Sequence, residues 1–309
     1  MNSLTDAVAE YLSVRRAMGH KLARAEGLLN QFVAHLDAVG TMTFTVDEAL
    51  AWATAPAGAS KAWIGIRLGV VRSFATWLQA RDPSTQVPPP DALGPKGARR
   101  AVPYLYTDVE IVALMDTARK MSRGLQRQTF PTLIGLLAVT GMRISEAIGL
   151  DCSDIFWEEG RLLVEGAKFN KSRYVALHPS TLDALAEYAK RRDRVVHAPR
   201  SPSFFVSNAG TRLTSQNVQH RFRVVAARAG LVARSGRCRP RLHDFRHLVA
   251  VRTLTEWYVA GIDIGPLLPL LATHLGHADP RSTYWYLTAT PELLALAAGR
   301  LERPGRSAR

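Results

Sequence analysis

The sequence predicts a mainly α protein with one small antiparallel β-sheet, divided into two domains. Three observations carry that prediction. Apolar residues recur at helical spacing through most of the chain, and two short strand-like stretches flank one polar turn. A proline-rich break separates a nearly neutral first part from a strongly basic second part.

Leu4, Val8, Tyr11 and Leu12 fall on one helical face. So do Leu22, Ala25, Leu29, Phe32 and Leu36, before Gly40 ends the helix. Thr45 with Glu48 makes a capping box that opens a short third helix. Trp63, Ile66, Val70, Phe74, Trp77 and Leu78 form the apolar face of a fourth. These stripes read as core and define a helical domain over residues 1–82, without saying what it binds. The stretch DPSTQVPPPDALGPKGARRAVP holds six prolines and no helical period, which predicts an extended linker over 83–102. The second domain spans 103–302. Thr107 and Glu110 cap its first helix, which runs to Met121, and an apolar helix follows over 129–139. Residues 161–165 and 173–177 read as two strands around the turn GAKFNKS. Helices resume at 181–194, 215–229 and 243–260. Asp279-Pro280 and Thr290-Pro291 each fit an N-cap followed by proline at the first helical position. Residues 303–309 read as a disordered basic tail.

At 309 residues the chain is long enough for two cores. Its 40 Lys and Arg against 26 Asp and Glu give a net charge of +14. Residues 1–98 hold 9 basic and 8 acidic side chains, so almost all of the excess lies beyond them. From Arg221 to Arg246 there are eight arginines and one acid, Asp244. Such a field favours a polyanion, nucleic acid first, although a solvated basic face would carry the same charge. Cys152 and Cys238 offer neither a disulfide framework nor metal-ligand spacing, which suits a reducing cytoplasm. The N-terminus has no apolar signal core, and no run approaches the roughly 18 apolar residues of a membrane helix.

Four places in the basic half could carry chemistry. In TGMRISEAIGL, Arg143 and Glu146 stand one helical turn apart, a spacing that lets a carboxylate hold a guanidinium in one orientation. A plain surface pair would look the same. Lys168 and Lys171 sit in the hairpin turn, where a flexible ammonium could reach a base edge or a leaving oxygen. In RPRLHDFRHL, His243 and Arg246 share one face of a helix start, and His247 points about 100° away from Arg246. In LGHADPRSTYWYL, His277 precedes two tyrosines, Tyr284 and Tyr286. Aromatics in a helix are more often core than nucleophile, and no one of these signals stands alone. Together, two arginines, a lysine, two histidines and a tyrosine are what phosphoryl transfer onto a phenol needs. Arginines and a histidine offset charge growing on the phosphate oxygens. A histidine takes the phenol proton, a lysine gives one to the departing sugar oxygen, and the tyrosine forms the covalent intermediate.

At this point the sequence resembles the tyrosine recombinases, the integrase family. TGMRISEAIGL is similar to that family's first box, which implies Arg143 as a catalytic arginine supported by Glu146. GAKFNKSRYVALH resembles the hairpin box and implies Lys168 as the catalytic lysine. LHDFRH resembles the His-x-x-Arg box, giving His243 and Arg246. LGHADPRSTYWY resembles the last box, giving His277 and, nine residues on, Tyr286 as nucleophile. Helix geometry adds that Tyr284 projects about 160° from Tyr286, which makes it structural. Lys171, Arg173, Arg239 and Arg241 are then expected DNA contacts. The 31 residues from Arg246 to His277 exceed the Xer-like spacing, which implies an insertion of a turn or two.

The resemblance implies a C-shaped clamp on double-stranded DNA with inverted half-sites, assembled as a homotetramer or a mixed tetramer with related recombinases. It implies strand exchange through a 3′-phosphotyrosyl link and a Holliday junction, with no cofactor, no metal and no membrane. Integration, excision or transposition of a mobile element is the expected role, in a bacterial cytoplasm at the nucleoid. Xer-like chromosome-dimer resolution is the alternative within the class, and a non-catalytic DNA-binding regulator the alternative outside it. The chain opens on its helical domain with no further arm-binding module, which implies a simple recombinase. The apolar stripe of PELLALAAGRL, with Leu293, Leu294, Leu296, Ala297 and Leu301, implies a C-terminal helix that docks into a neighbouring protomer.

Overall fold

The computed structural model describes residues 3–20, 22–41, 44–94, 101–165, 172–197, 200–277, 279, 281–288 and 291–301. The chain divides into two compact units, residues 1–99 and 100–309.

Among the described residues the first unit holds four helices. α1 (Leu4–Ala17) opens on a capping box between Ser3 and Asp6, α2 (Ala23–Val39) closes on Gly40, and α3 (Val46–Thr54) opens on the Thr45–Glu48 box. α4 (Lys61–Gln79) starts at a Ser60 cap. Leu29, Phe32, Leu36, Ala49, Leu68, Val71 and Phe74 fill their common core. The core face of α4 differs from the predicted stripe. Ile66 is 40% exposed, whereas Leu68, Val71, Phe74 and Ala75 are buried. Arg67 shares the buried side, its guanidinium 3.7 Å from the Trp52 ring and donating to the Trp52 carbonyl at 2.7 Å. An arginine at a core position hides the true period from a hydropathy reading. The supposed linker also differs from expectation over 83–94. Val87 and Ala92 pack on the helical core, and Arg72 donates to the carbonyls of Pro88 and Pro89 at 2.7 Å each. Proline offers an acceptor but no donor, so an arginine is a natural partner for such a run.

The second unit begins with α5 (Asp108–Met121) and α6 (Gln126–Thr140), which pack side by side, followed by the single-turn α7 (Ile144–Ala147). Three strands, β1 (Ile155–Phe156), β2 (Arg161–Val164) and β3 (Arg173–Ala176), form an antiparallel sheet in sequence order. The two longer strands lie where predicted, and β1 is additional. Leu162 and Val175 face each other across β2 and β3 with both side chains buried. The turn between these strands, with Lys168 and Lys171, lies outside the described residues. α8 (Pro179–Val195), α9 (Ser215–Arg228), α10 (Asp244–Val259) and α11 (Leu268–Leu275) complete the body. The long segment after Arg246 is therefore a four-turn helix, a connection through Gly261, and a second helix. α12 (Arg281–Tyr284) is one turn only, and the chain then tightens into a 3-10 helix at Trp285–Thr288. Tyr286 thus lies on 3-10 backbone, not in a continuous α-helix of the kind that the Asp279-Pro280 start predicts. The last helix, α13 (Pro291–Leu301), packs on α10 of its own chain, with Leu293 fully buried among Ala250, Leu254 and Leu275.

Candidate active site

Two glycines shape the site. α6 ends at Gly141 with φ +64°, and α11 ends at Gly276 with φ +67°, both left-handed C-caps. A Cβ on Gly276 would lie 2.6 Å from a guanidinium nitrogen of Arg173, so close approach and backbone angle both demand glycine there. The carbonyls beside these turns, left without helical partners, become arginine acceptors. Arg143 donates to the Gly276 carbonyl at 2.9 Å. Arg246 donates to the Gly141 carbonyl at 3.1 Å and to the Leu275 carbonyl. The Arg143–Glu146 spacing seen in the sequence closes as a capping box: one carboxylate oxygen takes the Arg143 N–H at 2.9 Å, the other its guanidinium at 2.7 Å.

Glu146 also accepts two bonds from Arg173, at 3.2 and 2.8 Å, and Arg173 donates its Nε to the His274 carbonyl at 2.8 Å. Burial works to raise the Glu146 pKa, but the Arg173 and Arg143 bonds outweigh it and hold the carboxyl below its ordinary range. It is ionised at neutral pH. Arg173 corrects the sequence reading. Its side chain is only 7% exposed and its guanidinium is spent on Glu146 and a backbone carbonyl, so it is an internal clamp rather than a surface DNA contact. Arg239 does lie exposed, and Arg241 is 36% exposed with two bonds to Asp244 at 3.0 and 2.7 Å.

Arg246 is almost wholly buried, and burial, followed by repulsion from Arg143, lowers its pKa to about 10. It still carries its charge at neutral pH. His277 follows Gly276 and is held by Thr283 Oγ1, 2.7 Å from its Nδ1. Burial, then Arg246, Arg143, His243 and Arg173, push its pKa down to about 4, so it is neutral at pH 7. Its ring stacks near-parallel on Tyr286, with centroids 6.0 Å apart. Tyr286 is 2% exposed, while Tyr284 is 51% exposed. His243 is exposed at the start of α10.

The phenol oxygen of Tyr286 stands 3.1 Å from Nδ1 of His247. The sequence does not single out His247, because as the neighbour of Arg246 it points to another side of the helix. Its distance from His243 is four residues, one turn along the same helical stripe, and the two rings meet edge to face at 4.9 Å. That spacing was the available signal. A second omission is α9. Ser215, Gln219 and Arg223, each four residues apart, line a cleft of about 590 Å³ together with Arg143, Arg241 and His243. The structure therefore brings Arg143, Glu146, Arg246, His277 and Tyr286 into one cluster, with His243 at its rim.

Among families of known proteins, residues 105–292 match the phage integrase family. The chain belongs to that family. The recombinase is 41% identical to the integrase/recombinase y4rB of Sinorhizobium fredii over 98% of both chains. It is 28% identical to tyrosine recombinase XerC of a Mycobacterium species over 94% of its own length and 95% of the other. The fold also matches the Tn1549 transposon integrase in complex with transposon right end DNA, with TM-score 0.65 and 16% identity over 98% of this chain and 100% of that one. XerH bound to palindromic difH gives TM-score 0.63 and 18% identity over 89% and 78%. Membership makes the recombinase a DNA strand-transferring enzyme. Among its described residues no helix is long and apolar enough to cross a membrane.

Proposed function

We propose that Tyr286 is the nucleophile of site-specific strand exchange. Its phenol oxygen attacks the scissile phosphorus, the bond to the 5′ oxygen breaks, and a 3′-phosphotyrosyl link and a free 5′-hydroxyl result. A 5′-hydroxyl from the partner duplex then reverses the step through a Holliday junction. Arg143 and Arg246 offset the charge on the non-bridging oxygens, with neutral His277 as a further donor and His243 as the base that takes the phenol proton. Lys168 supplies the proton for the departing oxygen. The observation that carries this reading is the convergence of one buried phenol with two fixed arginines and a neutral histidine.

The first unit, residues 1–99, is assigned to DNA binding and the second to catalysis, with 303–309 as a basic tail. Four copies, or a mixed tetramer, act on inverted half-sites. The higher identity to an integrase/recombinase than to XerC favours integration, excision or transposition of a mobile element over chromosome-dimer resolution. The test uses nicked suicide duplexes built from DNA flanking the gene, in EDTA. An adduct mapped to Tyr286 by mass spectrometry, and lost in Tyr286→Phe, is expected. An adduct on Tyr284, or tight binding with no adduct, overturns the assignment.

A further inference from the structure

We infer that His247 is the positioning residue of the nucleophile, fixing the Tyr286 oxygen through the hydrogen bond at its Nδ1. This rests on the reading of Tyr286 given above and adds a residue to it. Tyr286 sits on a four-residue 3-10 helix behind a single α-helical turn, backbone with little rigidity of its own. Stacking on His277 and packing against Leu254, Leu275 and Leu293 fix the ring plane, with the phenol oxygen at the far end of the side chain. His247 holds that end at 3.1 Å. It is itself held: 7% exposed, four residues from the edge of His243, and with its ring 5.4 Å from that of Trp285 in an edge-to-face contact.

The neighbour of His247 explains why this position matters. Arg246 and His247 are consecutive on α10, whose Phe245, Leu248, Ala250 and Leu254 are buried. Arg246 is anchored to the carbonyls of Gly141 and Leu275. One rigid helix therefore carries both the guanidinium that meets the phosphate and the imidazole that meets the attacking oxygen. The separation between electrophile and nucleophile is set by adjacent residues of one element, the geometric control on which near-attack alignment depends.

The test compares His247→Leu with His247→Asn, whose side-chain amide places a hydrogen-bonding atom close to the position of Nδ1. Single-turnover cleavage of the nicked suicide duplex is expected to fall about 10- to 100-fold in His247→Leu, and to recover to within about fivefold of the parent in His247→Asn, as expected when misplacement rather than lost chemistry is the cause. Affinity for uncleaved duplex should stay unchanged in both. A second readout does not need cleavage. With 3-fluorotyrosine incorporated, the fluorine resonance missing from Tyr286→Phe belongs to Tyr286; it should move in His247→Leu and return towards its place in His247→Asn. Unchanged or faster cleavage in His247→Leu, equal loss in both variants, or an unmoved resonance would overturn the inference. A parent protein that forms no Tyr286 adduct would instead remove the nucleophile assignment on which it stands.

Discussion

Arg173 and Glu146 form a two-bond pair at 3.2 and 2.8 Å, with both side chains nearly buried. The pair ties strand β3 to the helix that carries Arg143, and through the His274 carbonyl to α11. Glu146 is thus shared between two guanidiniums. Losing either partner leaves a buried charge half-compensated.

Arg173→Ala should therefore cost about 3 to 5 kcal/mol, the range seen when one member of a buried pair is removed. Urea unfolding followed on the second unit measures it. The salt dependence of DNA binding should keep its slope, because a guanidinium spent internally releases no phosphate counterion. A slope reduced by about one, with stability intact, would return Arg173 to the DNA-contacting role that its position in the hairpin box suggested.

Gly276→Ala should abolish cleavage as well as destabilise. The left-handed angle alone costs about 1 to 2 kcal/mol. The added Cβ would also stand 2.6 Å from Arg173, which must move, and with it the carbonyl that holds Arg143. Gly27→Ala, at a helical glycine with nothing near its Cβ, is the control and should leave both properties unchanged or slightly improve stability. Thermal unfolding and adduct formation on the same preparations separate the two effects.

The helices and the paired strands β2 and β3 were legible because apolar period and capping boxes agree along the chain. The Thr45–Glu48 and Thr107–Glu110 boxes open their helices as predicted. Arg143, Glu146, Arg246, His277 and Tyr286 were legible as a set of types in order. What the sequence hid are contacts between segments distant along the chain. Nothing local to β3 says that Arg173 turns inward to Glu146, and nothing in a hydropathy stripe shows Arg67 lying over Trp52. The 3-10 conformation at Tyr286 escaped for a similar reason. It is fixed by packing against α10 and α13, not by a residue that breaks the helix.

Stability should fall as the pH is lowered from 6.5 towards 4. His277 in the folded protein has its pKa pushed down to about 4, while the unfolded chain takes up the proton near 6.5. Between those values the unfolded state binds more protons, so stability rises with pH across that window and is lost on acidification. The contribution is about 2 to 3 kcal/mol, scaled down for the partial exposure of the ring. Glu146 acts in the same direction at lower pH. Its folded pKa lies below its ordinary value, so its share is lost only as the pH falls through that folded value. His277→Asn should make the stability profile shallower between pH 4 and 6.5, leaving the share of His274, whose pKa burial also lowers, and the acid limb due to Glu146 in place. A parent protein equally stable at pH 4.5 and 7 would contradict the burial of His277.

Sequence preference near the cut should depend on α9. Ser215, Gln219 and Arg223 present one face of that helix to the cleft shared with Arg143 and His243, so a duplex whose phosphate meets Arg143 brings a groove to this face. Glutamine pairs with adenine and arginine with guanine through two hydrogen bonds each, and each such pair discriminates by about 1 to 3 kcal/mol. Gln219→Ala should relax the preference at one base pair of each half-site without changing the slope of affinity against salt. A phosphate contact would do the reverse, weakening all sites alike and lowering the slope by about one. Cleavage of a randomised half-site library by the parent and by Gln219→Ala, with binding titrated at two salt concentrations, distinguishes these outcomes. Identical base profiles and identical slopes would remove α9 from the interface.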